Sequence, residues 1–128
     1  MSQNKLFQHG DIHRIPKPWG YELIFAKTDR YVGKILHVNR GESLSLQYHE
    51  MKDETLFVVR GELRLTVESD GDRRELSLRE GEAFHIPPGL IHRMEAIVDT
   101  DVAEVSTPEI HDVVRLEDRY GRAGTSKP

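Results

Sequence analysis

The sequence predicts an all-β domain folded as a double-sheet jelly-roll barrel. Three observations lead there. Apolar and β-branched residues fall in short runs about ten residues apart, the gaps carry Gly, Asp, Asn and Pro, and no run keeps a 3.6-residue period long enough for a helix. The runs place strands at residues 21–25, 31–38, 42–48, 55–60, 62–68, 73–78, 83–86, 92–96 and 102–106. Turn signals separate them at Asn39-Arg40-Gly41, Arg60-Gly61, Ser69-Asp70-Gly71-Asp72, Arg79-Glu80-Gly81 and Pro87-Pro88-Gly89. Asp70-Gly71, between two strand signals, is the strongest hairpin signal. Residues 112–121 are charged with sparse apolar positions and read as a short helix or an extended arm.

A chain of 128 residues with net charge −4 fits one domain, with a core over about residues 18–122 and loosely ordered termini at 1–10 and 123–128. Without cysteine, neither a disulfide nor a thiolate metal site can form, so any metal must be held by nitrogen and oxygen. Met1-Ser2-Gln3-Asn4-Lys5 lacks the order of a signal peptide, and no apolar run reaches the roughly 18 to 20 residues a bilayer span needs. A soluble cytoplasmic protein is the expectation. The 18 basic and 22 acidic residues are interspersed, which leaves no basic stripe for nucleic acid and no polybasic segment for a membrane.

Period-2 alternation sorts the faces. Ser45, Gln47 and His49 share one side of their strand, and Leu44, Leu46 and Tyr48 the other. On the next strand Glu54, Leu56 and Val58 alternate with Thr55, Phe57 and Val59, so neither side is plainly solvated. The outer side needs a cover, from the N-terminal segment or from a second subunit, and a homodimer is the expectation.

The densest set of metal-capable side chains lies between Gly41 and Glu54, with His92 following the Pro87-Pro88-Gly89 turn. Gln47 and His49, two apart on a strand, point to the same side, Glu54 opens the adjacent strand, and His92 comes from a neighbour. One divalent ion held by two imidazoles, a carboxylate and an amide oxygen suits Zn, Mn, Fe, Co or Ni. Such a site, on a barrel wall and without thiolates, favours a catalytic centre over a structural one.

Gly41-(x5)-Gln47-x-His49-(x4)-Glu54-(x6)-Gly61 resembles the first motif of the cupins, with Gln at the first His position. Gly81-(x5)-Pro87-x-Gly89-(x2)-His92 resembles the second, with Ala96 where the motif carries Asn. The resemblance implies a cupin double-stranded β-helix. Four blocks, beginning at Pro18-Trp19-Gly20-Tyr21-Glu22, Leu44-Ser45-Leu46-Gln47-Tyr48-His49, Ile86-Pro87-Pro88-Gly89 and Val113-Val114-Arg115-Leu116, are similar to the isomerase domain of type II mannose-6-phosphate isomerases. That likeness implies zinc as the first choice of ion, on Gln47, His49, Glu54 and His92. It also implies an aldose–ketose isomerase, with mannose 6-phosphate and fructose 6-phosphate as the nearest substrates.

Two departures leave the sugar open. Glu50-Met51-Lys52 stands where those enzymes carry a His-rich run, and Ser106-Thr107-Pro108-Glu109-Ile110 replaces a Gly-containing segment. Type II enzymes usually carry a nucleotidyltransferase domain ahead of the cupin. This sequence has none, and the expectation is a stand-alone domain without pyrophosphorylase activity.

Aldose–ketose interconversion needs a polarised carbonyl and a group that moves a proton between adjacent carbons. Lys52, between His49 and Glu54, is the first candidate for the proton, with a pKa expected to be lowered by the ion; His85 and Glu22 are further candidates for the relay or for substrate contact. Arg93 could bind a phosphate or steady the developing charge, although on a regular strand it points away from whatever His92 faces. Arg115, Arg119 and Arg122 form a basic cluster that could contact a phosphate but whose simplest reading is a solvated face, and Trp19-Gly20 reads as a structural plug, with sugar stacking as the alternative. Two other functions fit the same ligands: an Fe(II)-dependent cupin dioxygenase and a non-catalytic small-molecule-binding cupin.

Overall fold

Alternating sequence becomes strand after strand in the computed structural model, which describes Leu6, residues 12–122 and residues 124–125. The strands are β1 (His13–Lys17), β2 (Gly20–Lys27), β3 (Val32–Val38), β4 (Leu46–Tyr48), β5 (Glu54–Arg60), β6 (Glu62–Ser69), β7 (Asp72–Arg79), β8 (Ala83–Ile86), β9 (Ile91–Ala96), β10 (Thr100–Ser106), β11 (Val114–Glu117) and β12 (Gly124–Thr125). They form two six-stranded sheets, β1-β2-β3-β10-β5-β8 and β12-β11-β4-β9-β6-β7. Consecutive strands alternate between sheets often enough to roll the pair into a jelly-roll barrel. There is no helix among the described residues, and none long and apolar enough to cross a membrane.

Inward positions supply the core. Leu36, Leu56, Val58, Leu63, Leu65, Ile86, Met94 and Val102 are buried in one cluster that the two sheets close over. Asp70 and Gly71 both take positive φ, 54° and 77°, which is the backbone a two-residue turn between right-twisted strands requires.

Three strands fall outside the expected set. β1 contains Pro16 and a single aliphatic residue, Ile15, so its composition hides it; it lies at the sheet edge, where a missing N–H breaks no ladder. Residues 112–121 take the extended alternative and not the helix, because β11 pairs with the open edge of β4. Residues 124–125, expected to be loose, pair with β11 as β12, while the rest of the expected loose termini, apart from Leu6, lies outside the described residues. The expected strand at 42–48 is interrupted: Ser43 makes one bridge to Glu95, and the ladder resumes only at Leu46.

The outer face of the first sheet carries an apolar row. Leu23, Ile35, Ala103, Phe57 and Ala83 stand in register across five adjacent strands. Phe57 is 42% and Val59 45% exposed. β1 lengthens this sheet at its edge and leaves the face open.

Gly20 begins β2 directly after the buried Trp19. Its φ is +152°, and a Cβ there would sit 1.9 Å from the His37 carbonyl oxygen. Gly20→Ala is expected to cost about 3 kcal/mol of stability, from backbone strain plus overpacking, read as a fall in the urea midpoint at unchanged slope.

Candidate metal centre

Each member of the cluster is delivered by a different local feature. His49 follows the last residue of β4 and is held twice: its carbonyl accepts the Gly89 N–H at 2.7 Å, and its Nδ1–H donates to the carbonyl of Asp112. Glu54 opens β5. His92 lies on β9, where its Nδ1–H donates to the Leu90 carbonyl at 2.9 Å. Because both Nδ1 atoms serve as donors, both Nε2 atoms keep a free lone pair, the tautomer a metal needs.

Those lone pairs converge. Ligand atoms of His49, Glu54 and His92 all lie within 4.8 Å of one another, and His49 Nε2 is 2.9 Å from Glu54 Oε2. None of the three atoms has a hydrogen-bond partner, and all are buried. Acceptors this close repel unless a positive charge lies between them. The residues present therefore fit a divalent cation. Burial lowers the His92 pKa and keeps the ring neutral. Burial alone would raise that of Glu54, but the Lys52 charge works against it, and the carboxylate is held below the ordinary range.

Gln47 stands directly across the β4–β9 ladder from His92. Its Oε1 accepts the Ser45 hydroxyl at 2.5 Å, and both side chains line a cavity of about 670 Å³ that reaches His49 and Lys52. Asp112, absent from the expected site, braces the loop between His49 and Glu54. Its carboxylate accepts the N–H groups of Glu50, Met51 and Lys52 at 3.1, 2.7 and 2.9 Å. Those three bonds hold its pKa below the usual aspartate range against the opposing effect of burial.

Lys52 does reach the cluster. It is buried between Glu104, at 3.0 Å, and Glu54, at 3.4 Å. Burial would lower its pKa, yet the two carboxylates more than reverse that and raise it, so the ammonium is held as a cation. Glu104 in turn lies 3.8 Å from Lys34, which pairs with Glu22. Glu22 lines the cavity as expected, but Lys34 and, at 3.6 Å, Lys17 occupy its carboxylate.

Two candidates are not brought to the cavity. β9 is regular between His92 and Ala96, so Arg93 faces the other side of the sheet, where it meets Glu117 at 3.4 Å. His85 is exposed on the outer face and bonds Asp53 at 2.6 Å. Of the three C-terminal arginines, Arg119 turns away to the Gly41 carbonyl, whereas Arg115 and Arg122 line the cavity. Glu104 and Lys34 went unnoticed, although both occupy inward positions of their strands, beside Val102 and Leu36; a charged residue at core parity is the available signal.

Residues 1–118 match a family model described as mannose-6-phosphate isomerase C-terminal. The chain belongs to that family. It is 42% identical over 118 residues to the mannose-1-phosphate guanylyltransferase of Escherichia coli (strain K12), covering 87% of this chain and 24% of that protein. It is 32% identical over 114 residues to the xanthan biosynthesis protein XanB of Xanthomonas campestris, covering 85% and 24%. The chain thus spans about a quarter of the length of these curated relatives. Among solved structures, oxalate decarboxylase from Bacillus subtilis superposes with a TM-score of 0.77 at 17% identity, over 91% of this chain and 33% of that one. KdgF from Halomonas sp. does so with 0.68 at 24%, over 84% and 96%. These likenesses establish the cupin jelly roll for this member of the family.

Replacing His49 or His92 by Ala removes one of three convergent donors and is expected to lower bound metal at least about tenfold. Mass spectrometry of the metal content of the purified variants checks this; full occupancy in both would end the case for the site.

Proposed function

We propose that the chain is a metal-dependent aldose–ketose isomerase acting on a sugar or sugar phosphate, close in chemistry to mannose-6-phosphate isomerase. The observation that carries this is the convergence of the unpartnered His49, Glu54 and His92 lone pairs beside a cavity lined by a carboxylate and an ammonium, Glu104 and Lys52. Gln47 is the fourth ligand in this reading, through its amide oxygen, and zinc is the ion most in keeping with the donor set. A bound divalent ion would polarise the sugar carbonyl.

The remaining work falls to the chain's own groups. In the aldose-to-ketose direction a proton leaves carbon 2 and arrives at carbon 1, while the carbonyl and hydroxyl exchange places. Lys52, the first candidate for the proton relay, is held as a cation by its two carboxylates and suits hydrogen-bond donation to the oxygens. Glu104 suits the base: it lines the cavity as a carboxylate, with its Oε2 3.0 Å from Lys52 and 3.8 Å from Lys34.

Incubating the metal-loaded protein with hexoses and hexose phosphates in deuterated water is expected to label carbon 1 or carbon 2. Glu104→Gln should cut the labelling about 100-fold or more while metal content stays unchanged. Oxygen consumption by an iron-loaded sample without labelling would favour a dioxygenase, and a metal-loaded but inert protein would favour a binding role.

The same reading includes a homodimer, with a second copy on the row through Phe57. Five apolar residues in register across an open sheet face support it. Phe57→Glu is expected to halve the mass found by light scattering, and an unchanged mass would remove this face from the interface.

A further inference from the structure

The cavity wall is basic in a chain that is not. Lys17, Lys27, Lys34, Lys52, Arg115 and Arg122 line it against two acidic side chains, Glu22 and Glu104, although the whole chain carries a net charge of −4. Most of these cations are already matched. Lys34 and Lys52 alternate with Glu22, Glu104 and Glu54, Lys17 lies beside Glu22, and Arg122 is held by both oxygens of Asp118 at 2.9 and 3.0 Å. Lys27, which is exposed, and Arg115 are the exceptions, and only Arg115 is withdrawn from solvent. Among the described residues its guanidinium takes part in no ion pair or hydrogen bond, and it is half-buried beside a second arginine.

Register fixes where this free cation stands. Arg115 lies opposite Gln47 on the neighbouring strand, and Gln47 lies opposite His92 on the next. Two inter-strand spacings put the backbones of Arg115 and His92 roughly 10 Å apart along one transverse row. On its other side the row ends at Gly124, which has no side chain to crowd the guanidinium.

We infer that Arg115 is the anchor for the terminal phosphate of a sugar phosphate, holding the far end of the substrate while the carbonyl end meets the His49–Glu54–His92 cluster. This rests on the reading of the cavity as a sugar site. A guanidinium offers a planar fork to two phosphate oxygens, and here no carboxylate among the described residues lies within ion-pair distance of it; the nearby Asp118 is held by Arg122. The loss of solvent and the charge of Arg122 press against the Arg115 cation, Asp118 offsets them only in part, and an incoming dianion relieves both. A phosphate on the anomeric carbon does not satisfy this geometry, because it would bring the anion to the reacting end. Arg115 therefore selects sugars phosphorylated at the end of the carbon chain.

The test uses ligands that bind but cannot react. 1,5-Anhydroglucitol 6-phosphate and unphosphorylated 1,5-anhydroglucitol, neither of which can open to a carbonyl, are titrated into the metal-loaded full chain by calorimetry. The phosphorylated ligand is expected to bind at least about 30-fold more tightly, as the loss of a charge-assisted contact implies. Arg115→Gln should abolish that preference, and Arg115→Lys should keep part of it, with metal content and far-ultraviolet circular dichroism reporting that both variants are folded. Equal affinity for the two ligands in the unaltered chain overturns the inference, as does a preference that survives in Arg115→Gln. Should Arg115→Gln fail to fold, Arg115→Lys decides: an undiminished preference there overturns the assignment and a partial one supports it. Because neither ligand turns over, absence of isomerase activity leaves this result readable; turnover of sugars without any phosphate preference would overturn the role of Arg115 and leave the isomerase reading standing.

Discussion

Two imidazole lone pairs and a carboxylate, all withdrawn from water, face one another beside the cavity that His49 lines, and their mutual repulsion is the constraint around which the inner surface is arranged. Desolvation of charge costs several kcal/mol per ion unless partners are supplied in good geometry. The barrel supplies them in sequence: Glu54, Lys52, Glu104, Lys34, Glu22 and Lys17 alternate in sign from the cluster outward. Each charge is flanked by the opposite one, so the interior can hold three carboxylates and two buried ammonium groups without any standing alone. Only at the cluster itself does the alternation stop, and a cation is what the remaining donors lack.

The same constraint explains the attention given to ligands that are themselves on loops. His49 lies beyond the end of its strand, where backbone pairing no longer fixes it, and residues 50–53 form no ladder. Asp112 replaces that ladder, accepting His49 Nδ1–H with its carbonyl and three successive loop N–H groups with its carboxylate. Three residues later the same segment presents Arg115 to the cavity. One short stretch of chain thus sets the orientation of a metal-cluster imidazole and places a free cation two strands away from the other.

How much of this could be read in advance follows from which features are local. The convergence of His49, Glu54 and His92 was legible because motif spacing fixes their strand faces, whereas Arg93 stayed a candidate although parity already turned it from the side of His92. His85 failed for the same reason: it pairs with Thr55, an outward position of β5, and so faces out. Glu104 and Lys34 were visible as charges at inward positions, but their meaning depends on strands β3 and β10 being neighbours, a pairing seventy residues apart that no local pattern states. β1 and β11 were hidden because each is polar and borrows its hydrogen bonds from an existing edge; context makes them strands, and propensity does not.

The two faces of the first sheet then separate two duties within single strands. In β5, Glu54, Leu56 and Val58 turn inward to the cluster and core, while Phe57 and Val59 stay exposed. In β10, Glu104 is buried between two lysines, while Val105, the next residue, is exposed. A shift of one residue in either register would carry a carboxylate to the surface and an apolar side chain among the buried charges, leaving lysines unpartnered inside. Because each displaced charge would forfeit its partners on both sides, the charge ladder penalises a slip more sharply than apolar packing alone does. The chemistry of the cavity and the uniqueness of the fold are in this way specified by the same side chains.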